Sequence, residues 1–159
     1  MRKKILILVA ALVLAGCSSG GASADKLEET FVYSAKLEEM GITAELERAS
    51  GSGWNITVSE PATIKGMQLS YLADGKCTLR FEGHAAIYDR SQLPQGGVFD
   101  LMIAAADMCI EEKGVKTLTD GGDTVRTGTV RGVGFTARSS GGKLTEIELN
   151  GGEKLIFQQ

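Results

Sequence analysis

Apolar and polar positions alternate along much of the first half of the chain. Phe31 and Tyr33 open the pattern. Ile42, Ala44 and Leu46 alternate with Thr43, Glu45 and Glu47, and Trp54, Ile56 and Val58 with Asn55, Thr57 and Ser59. Met67, Leu69 and Tyr71 alternate with Gln68 and Ser70, and Cys77, Leu79 and Phe81 with Thr78, Arg80 and Glu82. A period of two sends one set of side chains to a buried face and the other to water. It predicts antiparallel strands that are wet on one side. Turn residues separate the runs: Ser50-Gly51-Ser52-Gly53, Asp74-Gly75, Asp120-Gly121-Gly122, Ser140-Gly141-Gly142 and Asn150-Gly151-Gly152. They supply the positive φ that tight hairpins need, and their spacing predicts a meander of sequential neighbours. Later strands are expected over about 123–131, 133–139, 143–149 and 153–158.

One segment departs from this period. Residues 98–113 (VFDLMIAAADMCIEEK) hold Leu, Met, Ala and Glu with no internal Gly or Pro, a helix composition. Val98, Leu101, Met102, Ala105, Met108 and Cys109 form one stripe; Phe99, Ile103, Ala106 and Ile110 form another. Only Asp100, Asp107 and the Glu111-Glu112-Lys113 end carry charge. A helix apolar on most sides is buried against a sheet. The expected fold class is therefore α+β, mainly β, with strands on each side of the helix wrapping it. Gly114 suits the helix C-terminal cap, and Ser91–Gly97 reads as a loop.

The N-terminus follows a different logic. Basic Arg2-Lys3-Lys4 precedes an unbroken apolar run of 11 residues, Ile5–Ala15, and then Leu14-Ala15-Gly16-Cys17. Eleven apolar residues are too few to cross a bilayer, which needs about 20. The order of charge, short apolar stretch and small residues is that of a secretory signal. It resembles the type II signal peptide of bacterial lipoproteins, with Leu14–Cys17 as the lipobox. That resemblance implies cleavage before Cys17 and lipidation of Cys17. Residues 1–16 are then signal peptide, 17–29 the lipidated cysteine and a small, polar, flexible tether, and 30–159 the domain.

Composition sharpens this division. The chain of 159 residues has a net charge of -3, but residues 1–16 hold three basic side chains and no acidic one. The remaining 14 basic and 20 acidic residues leave the mature domain at -6. Such a domain is not held to an anionic membrane by its own charge, so the lipid is the expected membrane link. Nucleic acid is not an expected partner, for lack of a basic excess. Cys77 and Cys109 are the two thiols left once Cys17 carries lipid. They form either a strand-to-helix disulfide or two separate buried thiols. No cofactor is expected, and metal binding would want more His or Cys ligands at characteristic spacing. His84 is the only histidine, and no Gly-x-Ser-x-Gly nucleophile motif accompanies it, so no enzyme activity is expected.

Gly53-Trp54-Asn55-Ile56-Thr57-Val58, the following Glu60-Pro61, Gly66-Met67-Gln68-Leu69-Ser70-Tyr71 and Gly75-Lys76-Cys77-Thr78-Leu79 set a rhythm of strand, proline turn, strand, glycine turn, strand. With the inserted apolar helix, this resembles the lipoprotein-localisation factor (LolA/LolB-like) superfamily over roughly residues 30–158. The resemblance implies a curved antiparallel sheet forming an incomplete barrel, a helical lid and an apolar cavity that binds acyl chains. The expected lining is Trp54, Ile56, Met67, Leu69, Tyr71, Leu79, Phe81, Leu101, Met102 and Met108, the methionines giving an adaptable wall. Two functions compete. One is a membrane-anchored module that binds a lipid, acyl chain or other apolar ligand. The other is a tethered envelope interaction protein whose core is filled by its own side chains.

Overall fold

Strand pairing in the computed structural model follows the alternation. The structure describes residues 24–51, 53–90, 97–120 and 122–158. Six strands precede the helix: β1 (Phe31–Leu37), β2 (Ile42–Ala49), β3 (Gly53–Glu60), β4 (Gln68–Tyr71), β5 (Lys76–Phe81) and β6 (His84–Asp89). The helix is α1 (Val98–Ile110). Five strands follow: β7 (Val115–Asp120), β8 (Asp123–Val130), β9 (Val133–Ser140), β10 (Lys143–Leu149) and β11 (Lys154–Gln158). The signal segment, Cys17 and most of the 91–97 loop lie outside the described residues.

All eleven strands form one antiparallel sheet in the order β6-β5-β4-β3-β2-β1-β11-β10-β9-β8-β7. It consists of two sequential meanders joined where β1 pairs with β11. The sheet is not closed: β6 and β7 are its two edges, and α1 lies between them in the chain. Buried and exposed residues alternate strictly in β1, with Phe31, Tyr33, Ala35 and Leu37 inward. Inward residues of β2, β3, β9, β10 and β11 join them and α1 in a single core. Irregularities at Thr43/Ala44 on β2 and Leu144/Glu146 on β10 interrupt the register. Such bulges bend a strand and increase its twist.

The sheet is rolled rather than flat. Arg90, just after β6, and Arg131, in the β8–β9 turn, both bond the carboxylate of Asp100 in α1. Nine strand spacings separate β6 from β8 in the sheet order. Laid flat, those spacings would hold the two arginines roughly 43 Å apart. Only a sheet whose ends approach one another lets them share one carboxylate.

Two strands and one helix end differ from the sequence expectation. The alternation does not predict β6 or β7, because nearly every residue of both is exposed. A strand with water on both faces has no reason to alternate. The helix stops at Ile110 instead of Lys113. Glu112 takes a left-handed φ of 54° at the helix end and Gly114 a second one of 68°, and Lys113 N–H bonds Met108 O at 3.0 Å. This is the six-to-one closure of a helix C-terminus.

Residues 25–29, at the end of the expected tether, lie against the fold as a strap. Leu27 is buried, and Glu28 N–H donates to Gly142 O at 2.9 Å. Tyr33 Oη donates to the Glu28 carboxylate at 2.7 Å, and Arg48 Nη1 donates to Glu29 O. Arg126 of β8, only 1% exposed, donates from Nη2 to Asp25 O and from Nη1 to Ser139 Oγ, both at 2.7 Å. Its Nε has no partner among the described residues.

Candidate functional site

Two charges sit on an otherwise apolar helix, and each is placed by partners from the sheet. Asp107 Oδ1 accepts from Trp54 Nε1 and from Arg48 Nε, both at 3.0 Å. Burial pushes the Asp107 carboxyl above its usual range, and these two hydrogen bonds partly offset that. The guanidinium of Arg48 also lies over the Trp54 ring, 5.9 Å from its centroid. Nearer the N-terminus of α1, Asp100 is buried and receives Arg90 Nε at 2.8 Å together with Arg131 Nη1. Arg90 lies over the Tyr71 ring at 5.2 Å. A cationic pair, a single carboxylate and an aromatic ring thus meet where α1 begins.

Beside this cluster is a cavity of about 300 Å³ with almost wholly apolar walls. Leu69 and Tyr71 of β4 form one wall, and Gly97, Val98, Phe99 and Asp100 at the start of α1 form the opposite one. Met40, from the β1–β2 turn, stands at its rim with half its surface in water. A second hollow of about 280 Å³ lies along the β5–β6 hairpin, lined by Leu79, Phe81, Glu82, His84, Ala85, Ala86 and Tyr88. The register connects the two, because Leu69 pairs with Leu79 and Leu79 with Ala86. Paired residues project to the same face, so one apolar row runs from the first hollow into the second.

The residues expected to line a cavity divide into three groups. Trp54, Ile56, Leu101 and Met102 are buried core, Ile56 and Met102 with no exposed surface. Met67 and Met108 are partly buried and pack against that core. Leu69 and Tyr71 line the first hollow, and Leu79 and Phe81 the second. Met40, Arg90, Asp100 and Arg131 are additions from the structure. Only Asp100 left a trace in the sequence, as an isolated charge on an apolar helix.

Cys77 and Cys109 are both buried free thiols, which favours the second of the two alternatives for them. Cys77 senses Arg90 and Asp100 at the start of α1, whereas Cys109 senses Arg126 near its end. Burial pushes both thiols up, that of Cys109 to about 12.

No helix among the described residues is long and apolar enough to cross a membrane. The family model of the prokaryotic membrane lipoprotein lipid attachment site matches residues 1–18. The protein is a lipid-anchored, extracytoplasmic bacterial membrane lipoprotein. No curated protein matches the chain.

Proposed function

We propose that this lipoprotein binds a lipid, an acyl chain or another apolar ligand inside an incomplete barrel wrapped around α1, as its LolA/LolB-like resemblance implies. The supporting observation is the hollow between Leu69 and Tyr71 on β4 and Val98 and Phe99 on α1. Its volume of about 300 Å³ is at the small end for ligand pockets, which run to roughly 1,000 Å³. Continuation along Leu79 and Phe81 lengthens the apolar track to suit a chain-like ligand. The role is binding and carriage, without catalysis. The test is organic extraction of the protein purified from its native membrane, followed by mass spectrometry. A stoichiometric acyl species is the expected result. An extract free of lipid, from protein kept out of detergent, would count against it.

A second reading is favoured by the packing under α1. Ile56, Met102 and Ala105 have no exposed surface, so the centre of the domain is filled by its own side chains. A tethered interaction protein needs no more than that. Cross-linking in intact envelopes separates the two readings, since this one predicts protein adducts and no lipid adducts.

A further inference from the structure

The charge beside the first hollow specifies what sort of apolar ligand it suits. Arg90 and Arg131 place two guanidinium groups on the single carboxylate of Asp100, and Asp100 itself is part of the hollow's wall. The trio carries one net positive charge. Arg90 also covers the ring of Tyr71, a second wall residue. Both arginines keep part of their side chains in water, 25% for Arg90 and 37% for Arg131. Their charge therefore remains accessible to a solute.

The backbone at Arg131 fits a purpose beyond turning the chain. Arg131 and Gly132 form the two-residue loop between Val130 and Val133, with φ of 47° and 83°. That geometry favours Asn or Gly at the first loop position, because a longer side chain in the left-handed region is strained. An arginine is held there, and it reaches across the opening of the sheet to Asp100.

We propose that the hollow takes an amphiphile with a negatively charged head, a carboxylate or a phosphate. Its chain lies between Leu69 and Phe99, and its head pairs with Arg131 and Arg90. This rests on the apolar-ligand reading above and narrows it. A neutral alcohol of the same chain length fills the same walls but gains no charge-assisted hydrogen bonds. Neutral and anionic ligands of equal length therefore separate the head from the chain.

The test is photo-crosslinking of the full lipidated chain in membranes with three diazirine probes: a decanoic acid, a decanol and a decyl phosphate. Labelling is mapped to the peptides holding Leu69 and Phe99. The acid and the phosphate are expected to label there about tenfold more than the alcohol, the scale of one charge-assisted hydrogen bond. Whichever of the two labels more tells whether a free fatty acid or a phosphate-headed lipid is the better source. Arg131→Gln is expected to lower acid labelling to the alcohol's level and leave the alcohol unchanged, and Arg131→Lys to restore part of it. If Arg131→Gln does not fold, the wild type still decides. Raising salt from about 0.1 M to about 1 M, which shortens the Debye length from roughly 10 Å to roughly 3 Å, must suppress acid labelling and spare the alcohol. Equal labelling by acid and alcohol overturns the head assignment and leaves the hollow as a binding site. Absence of label from all three probes at these peptides overturns the hollow itself.

Discussion

The indole Nε1 of Trp54 donates to Asp107 Oδ1 at 3.0 Å, tying the start of β3 to α1 across 53 positions of sequence. The same oxygen accepts from Arg48 Nε. Trp54→Phe keeps most of the ring's packing and removes one donor from a buried carboxylate. It is expected to lower stability by about 2 kcal/mol, within the range for hydrogen bonds to charged groups. Urea denaturation checks this, and an unchanged midpoint would show that Arg48 alone satisfies Asp107.

Asp100 joins the two meanders through Arg90 and Arg131. Asp100→Asn leaves two guanidinium groups facing a neutral amide. Breaking a buried pair from one side costs about 3 kcal/mol. The partly exposed arginines place this variant at the lower part of that range. The expected signature is a lower melting temperature, together with faster amide exchange in β6 and β8, the strands whose ends the arginines hold.

Arg126 is a buried cation with no ion pair among the described residues. Replacing such a charge with an apolar residue of similar length is often neutral or stabilising, by about 1 kcal/mol or more. Arg126→Met is therefore expected to keep or raise the unfolding midpoint. It also removes the donor to Asp25 O, so trypsin should cleave the strap after Lys26 faster than in the wild type. A faster cleavage without loss of global stability is the combination to look for.

Burial raises the Cys109 thiol from 9.0 to about 12 and moves Cys77 in the same direction. The unfolded chain releases these protons near 9.0, while the folded chain holds the Cys109 proton until about 12. Below pH 9.0 the contribution of Cys109 is fully present, and it is lost progressively as the pH climbs through that window. Urea midpoints between about pH 8 and about pH 11 should fall steadily, with a shallower slope in Cys109→Ala. A thiol reagent at neutral pH should find neither cysteine until the protein is unfolded.

What the sequence disclosed depended on whether a residue's surroundings were local. Strands β1 to β5 and β8 to β11 have one wet face and one dry face, so their burial is written as alternation. The edges β6 and β7 carry no such alternation because Ala85, Ile87, Lys116 and Leu118 project from strands wet on both sides. The alternation also identified Leu69, Tyr71, Leu79 and Phe81 as inward-facing. It did not separate them from Trp54 and Ile56, because the placement of α1 decides which part of the inner face is filled. The Arg90–Asp100–Arg131 cluster depends on how far the sheet rolls. Arg131 is distant from Asp100 in sequence order, and no spacing rule joins them.

Pairing of β1 with β11 has a kinetic consequence. Ser34 and Gln158 face one another across that seam, 124 positions apart. Strands β1 to β6 can zip together as they emerge from synthesis and export. The inner edge of β1 then stays bare until β11 arrives. Loop closure over such a separation slows folding, and a bare strand edge invites pairing with the wrong neighbour. A chain already fixed to a crowded membrane by its other end faces that hazard at high local concentration. The waiting edge of β1 is therefore where mispairing between neighbouring copies of this chain would begin.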